Sequence, residues 1–378
     1  MILLNLQLQG REEHVHIELR GENIHAIHAA TKAIFPGQPC MDFKGAMVFP
    51  GLINSHEHLE FNFFPKLGNR LYKNYREWAD DIHRREEKLI ESISNIPVET
   101  RTQWGICKNL LQGVTTVVNH GKHLDVGEAP INIIQSNHDL HSPAFEKNWK
   151  RKLLLPGNGR PLVMHLGEGV DEASQLEIMQ VMRWNFFKKN MIAVHGVAMK
   201  PAQGNHFRAL AWCPSSNLHM LGKTADISVL KKYLPILFGT DSTLSAELNL
   251  WDQLREARKT AMLSDEELFQ SLTSTAASVW KLNSGKLEAG KLADMVIAKT
   301  RGEDWRWENF YALQPTDFLT VFHHGKPVLM DESLVDDYPV LHGLKPLGDT
   351  KKYLPAAFSE FLAKHRETAF NKILETVF

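Results

Sequence analysis

The chain is poor in the residues that would staple or anchor it. Cysteine occurs three times in 378 residues, at Cys40, Cys107 and Cys213. An odd, widely spaced set with no CxxC pair excludes a disulfide framework and fits a reducing cytoplasm. No stretch approaches the ~18 consecutive apolar residues of a membrane span. The N-terminal MILLNLQLQG has no basic segment ahead of an apolar core, so no signal peptide and no membrane partner are expected. Neither sign of charge is in excess, with 43 Lys+Arg against 44 Asp+Glu, which argues against a nucleic-acid partner. The expectation is a cytoplasmic protein that handles a small molecule, with a homodimer as an assembly open to it.

What the chain has instead is a core and many histidines. Hydrophobic residues make up 43% of it, enough at this length for one large domain or two smaller ones without staples. Of the 19 histidines, many fall at the ends of apolar runs. Residues 2–8, 13–19 and 23–28 alternate like an antiparallel meander broken by glycine. Beyond residue 47 short apolar runs alternate with helical patterns, the first helices lying over 75–93 and 97–112. The runs are MVFPGLINSH, GVTTVVNH, INIIQSNH, PLVMHLGE, MIAVHGV, ALAWCPSSN and PILFGTDS. Such repetition is what a parallel sheet with crossover helices requires.

The fold class read from this is α/β, a (β/α)8 barrel over 48–285 with a small flanking β-sandwich domain built from 1–47 and 286–332. A loop and helix over 333–378 close the chain. Seven runs leave one barrel strand to be found, and 141–160 is the stretch where it is expected.

In barrel enzymes the catalytic groups sit at the C-terminal ends of the strands. His56 and His58 end the first run, then His120, His138, His165, His195 and Asp241 end later ones. In an extended strand His56 and His58 point to one side and Glu57 to the other. Three imidazoles and a carboxylate are a familiar ligand set for Zn²⁺ or Fe²⁺.

The ordered phrases FPGLINSHEHL, GVTTVV, HLGE, AVHG, WCPSSN, FGTDS and TSTAASVWKLNSGKLEAGKLADMVI resemble the amidohydrolase superfamily over about residues 1–330. The pattern is similar to its one-metal branch, with cytosine deaminase, guanine deaminase and the triazine hydrolases. The resemblance implies one divalent metal per chain, zinc or iron, held by His56, His58, His165 and Asp241. It implies that His195 contacts the bound water, that Asp241 takes the proton of that water, and that Glu168, in HxxE spacing from His165, carries a proton to the substrate. Binuclear relatives use a carboxylated lysine on the fourth strand; Lys150 and Lys152 sit in a charged helical segment and are poor candidates.

The aromatic and basic stretch after HxH offers Phe63, Phe64, Tyr72 and Trp78 to stack on a planar ring and Arg70 to hold a carboxylate or phosphate. His120, His123, His138, His141 and Asn217 are further pocket candidates. The expected activity is hydrolysis of a carbon–nitrogen bond, with ammonia released from an amino-substituted heterocycle. The alternatives are a cyclic amide hydrolase of the imidazolonepropionase kind and a metal-free binding protein on the same fold.

Overall fold

The computed structural model describes all residues except 32–34, 36, 155–158, 301, 303–304, 336–342, 349 and 366–378. At the N-terminus, β1 (Ile2–Leu8), β2 (Val15–Arg20) and β3 (Asn23–Ala29) form an antiparallel meander, and β4 (Cys40–Pro50) adds parallel to β1. Residues of β4 alternate between two cores, as a period-2 strand must. Ala46 and Val48 pack into a small core with Leu3, Ile17 and Met295, while Met47 and Phe49 pack into the large central one.

Pro50 ends β4 and the chain passes at once into β5 (Leu52–Glu57). Gly51 permits the step, since a Cβ there would lie 2.2 Å from Thr115 Oγ1. Seven more parallel strands follow: β6 (Val114–Asn119), β7 (Asn132–Ile134), β8 (His138–Leu140), β9 (Leu162–Leu166), β10 (Met191–His195), β11 (Ala209–Trp212) and β12 (Ile236–Phe238). They pair in sequence order as β5-β6-β7 and β8-β9-β10-β11-β12. An isolated parallel bridge between Glu57 and Asp241 joins the β12 end to the β5 end. Among the described residues no ladder joins β7 to β8.

The eighth strand differs from expectation. The run INIIQSNH supplies β7 and the start of β8, because Gln135 leaves the strand to bond both backbone groups of Leu124. His138 therefore opens a strand rather than ending one. Between 141 and 160 the described residues hold a helix, not a strand.

Six helices matter for the site: α1 (Tyr75–Arg85), α2 (Glu87–Ser94), α3 (Val98–Leu111), α4 (Trp149–Leu154), α5 (Glu172–Trp184) and α6 (Pro214–Leu221). The single helix expected over 75–93 is two, broken at Glu86 (φ −112°, ψ 21°). Asn74 and Asp171 cap α1 and α5 by accepting from Glu77 N and Ser174 N, which satisfies donors the helix itself cannot.

The chain's second half returns to the first sheet. Here β13 (Met295–Ala298) pairs antiparallel with β4, followed by β14 (Phe318–His323) and β15 (Lys326–Asp331). Where a loop was expected after residue 333, β16 (Leu344–Pro346) and β17 (Lys352–Pro355) extend the sheet to nine strands, and a helix spans Ala356–Lys364. The remainder of the expected C-terminal helix lies outside the described residues. Among the described residues no helix is long and apolar enough to cross a membrane.

Candidate metal centre and active site

The C-terminal ends of β5, β9, β10 and β12 bring His56, His58, His165, His195 and Asp241 together, all buried. The close packing of β12 on β5 depends on Gly239, where a Cβ would sit 2.7 Å from the Cβ of His56. His195 (φ 69°) and Asp241 (φ 60°) hold left-handed backbone, a strained state for non-glycine residues that recurs where function demands it.

His165 Nε2 lies 3.1 Å from His56 Nε2 and 3.2 Å from His58 Nε2. The Nδ1 of His165 donates to the carbonyl of His141 at 2.8 Å, so its Nε2 carries a lone pair. Burial pushes His56 down and His165 well below the usual histidine range, so neutral rings face one another. Three imidazole nitrogens converging at this distance could all turn lone pairs to a single cation. Their spacing suits it, since tetrahedral ligands at ~2.0–2.1 Å from zinc stand roughly 3.3 Å apart.

Asp241 adds the oxygen. Its Oδ1 lies 3.6 Å from the Nε2 of both His56 and His58, while Oδ2 accepts from Ser216 Oγ (2.7 Å) and Ser245 Oγ (2.8 Å). Burial would raise its pKa, but contact with His56 and the neighbouring rings outweighs this and holds Asp241 well below the usual carboxylate range.

His195 is built differently. Asn217 Nδ2 donates to His195 Nδ1 at 2.9 Å, and the amide orientation is supported by Thr224 Oγ1 donating to Asn217 Oδ1 at 3.3 Å. The ring proton of His195 is therefore on Nε2, which faces Glu168 Oε1 at 3.5 Å. Burial pushes His195 down to about 3, so at neutral pH it is an uncharged donor into the cavity. Burial first, then the charges of Asp241 and Glu177, raise Glu168 well above the usual carboxyl range. A carboxyl group whose burial favours the protonated form stands beside the candidate metal site.

Above this cluster lies a cavity of about 300 Å³. Its floor is His58, His165, Glu168, His195 and Asp241, and its walls include Phe64 and Trp78 from the stretch after HxH. Phe61 and Tyr75 of the same stretch also line it, as do Phe145 and Met220, which no sequence pattern marked. His141 sits at the end of the fourth parallel strand, where binuclear relatives place a lysine, and it lines the cavity too.

Several expected pocket groups are elsewhere. Arg70 is exposed, bonded to Glu77 at 2.7 Å and stacked on Tyr72, so its charge is already answered. Tyr72 is buried with its hydroxyl donated to Asp81. Phe63 packs against Trp104 in the core, and His138 lies at the opposite end of its strand. His120 is buried behind the cluster, its ring centroid 4.3 Å from that of His165 and its Nδ1 3.3 Å from Asp139. Asn217 lies beneath His195 and orients it instead of touching the cavity.

Comparison with known proteins agrees with this geometry. The model of the Amidohydrolase family matches residues 162–328. A 5'-deoxyadenosine deaminase of Methanocaldococcus jannaschii is 24% identical over 359 residues, covering 79% of this chain and 85% of that protein. A 5-methylthioadenosine/S-adenosylhomocysteine deaminase of Pyrococcus furiosus is 22% identical, covering 82% and 88%. Among solved structures, an adenosine deaminase from Xanthomonas campestris with bound zinc superposes with a TM-score of 0.73 at 15% identity, covering 99% of both chains. Guanine deaminase from C. acetobutylicum gives 0.63 at 16% identity, covering 86% of this chain and 99% of that one. Over residues 162–328 the chain is similar to the amidohydrolase family. It is an enzyme, a hydrolase of carbon–nitrogen bonds.

Proposed function

We propose that this enzyme is a one-metal deaminase that releases ammonia from an amino-substituted heterocycle. The observation that carries it is the convergence of His56, His58 and His165 with Asp241 beside Glu168, a buried carboxyl facing the same cavity. The domain reading follows: eight parallel strands form a (β/α)8 barrel over 48–285, flanked by the sheet domain from both chain ends. Zinc is the preferred ion and iron the second, in line with the zinc in the Xanthomonas structure.

His56, His58, His165 and Asp241 would hold a divalent ion, which when bound would lower the pKa of water from 15.7 toward ~7. Asp241 Oδ1 takes the proton of the attacking water, while its Oδ2 stays fixed by two serine hydroxyls. His195 donates from Nε2 to the oxygen that adds to the ring carbon. Glu168 gives its proton to the adjacent ring nitrogen, so the C=N bond accepts the attack without developing negative charge. Asp241 then gives the proton it took to the exocyclic nitrogen, which leaves as ammonia, while the added hydroxyl returns a proton to Glu168 as the carbonyl forms. Deaminases for purine nucleosides among the relatives favour this over ring opening.

The test is elemental analysis of protein purified without chelator, followed by an ammonia-release panel. About one zinc or iron per chain is expected, and Glu168→Gln should keep that metal while kcat falls roughly 10²–10⁴-fold. A protein that takes up no metal on reconstitution, or a Glu168→Gln variant of undiminished rate, would overturn the reading.

A further inference from the structure

The deaminase reading leaves the substrate open, and the cavity walls narrow it. Away from the reaction centre the walls are apolar, with Phe61, Phe64, Trp78, Ile82, Ile90 and Leu244 lining them. No lysine or arginine lines the cavity among the described residues. Of the basic residues in the adjoining segment, Arg70 pairs with Glu77, and Arg84 and Arg85 with Asp81 at 2.8 and 3.0 Å, while the Arg76 guanidinium lies 5.9 Å from the Tyr75 ring and is not among the residues that line the cavity. Tyr75 presents its ring, since its hydroxyl is donated to Glu177 Oε1 at 2.9 Å. Beyond the floor and Tyr75, the polar lining residues are uncharged serines, Ser94, Ser242 and Ser245, with His141 and the exposed His83.

An anion held among these walls would lose its water and meet no lysine or arginine, so desolvation disfavours it. An apolar substituent in the same place gains about 25 cal/mol for each Å² it buries. The volume, about 300 Å³, stands at the small end of ligand sites, about 300–1,000 Å³. We infer that the substrate is a neutral amino-heterocycle carrying a compact, uncharged, apolar substituent, and that phosphorylated or carboxylate-bearing counterparts are rejected. This rests on the deaminase reading of the same site. It also separates two compounds in the name of the Pyrococcus relative: methylthioadenosine fits, and S-adenosylhomocysteine, with its carboxylate, does not.

The test uses metal-replete enzyme and a charge series on one ring system: 5'-deoxyadenosine, 5'-methylthioadenosine, S-adenosylhomocysteine and adenosine 5'-monophosphate. Binding is followed by calorimetry and ammonia release in parallel. The neutral pair should bind about a hundredfold or more tighter than the anionic pair. Ile90→Arg, on half-exposed α2 where a long side chain reaches water, should narrow that gap at least tenfold. Neutral compounds that bind without releasing ammonia would leave the inference standing and sink the deaminase reading. Anionic members binding as tightly as neutral ones, or no binding by either neutral member, would overturn the inference.

Discussion

Two buried ionisable clusters lie back to back on β5, and they are finished to different degrees. On one side Glu57 accepts from Lys108 Nζ at 2.8 Å, Thr240 Oγ1 at 2.7 Å, Asn54 Nδ2 at 3.1 Å and Asn62 Nδ2 at 3.1 Å. Every charge there has its counter-charge and every lone pair a donor. On the other side the Nε2 atoms of His56 and His58 lie 3.1 and 3.2 Å from that of His165, and His56 Nδ1 has no hydrogen-bond partner among the described residues. A closed network holds structure, whereas an open one made of good ligands awaits a cation. The difference separates scaffold from chemistry within three consecutive residues.

The comparison breaks first at Lys108. If the Glu57 cluster is scaffold, Lys108→Met leaves a buried carboxylate without its partner and should cost roughly 3–5 kcal/mol, read by denaturant unfolding. The folded fraction should still bind one metal per chain. Loss of metal with unchanged stability would mean the two sides form a single functional unit.

Acid sharpens the same contrast. Burial pushes His120, behind the open cluster, down to about 4 from an ordinary 6.5. The unfolded chain then takes up this proton as pH falls through 6.5, while the folded chain refuses it until about 4. Stability is therefore lost between pH 6.5 and 4, by about 3 kcal/mol for this ring alone. Glu168 works in the opposite sense, since its raised pKa makes the fold more stable in acid than in base. Unfolding titrations of His120→Asn should show a shallower acid limb; an unchanged limb would count against a neutral buried ring.

How far the sequence foretold all this differs between floor and walls. Candidate ligands on the floor sit at strand ends, a position that short apolar runs mark directly, so His56, His58, His165, Glu168, His195 and Asp241 were nameable from pattern and resemblance. The walls depend on how α1 and α2 fold back over the cavity, which is a tertiary matter. Arg70 and Tyr72 looked like substrate groups because the acids that capture them, Glu77 and Asp81, stand one and two turns into the next helix. Those acids were the available signal. The eighth strand was hidden because three residues, with Gln135 bonded to Leu124, divide one apolar run into two strands.

The smallest effect concerns Asn217, and it tests whether the floor itself mixes two kinds of histidine. His165 has its Nδ1 proton fixed by a carbonyl, leaving Nε2 free to ligate; His195 accepts at Nδ1 from an amide, leaving Nε2 as a donor. Asn217→Asp keeps the shape but replaces that donor with an acceptor, which moves the ring proton to Nδ1 and presents a lone pair to the cavity. Partners that orient such rings typically matter 10–100-fold, so kcat should fall by about that factor while metal content and unfolding midpoint stay close to those of the parent. Asn217→Leu, which removes the amide without imposing the opposite tautomer, should lose less. If both variants lost metal instead, His195 would be a ligand, and the division of labour between the two rings would be wrong.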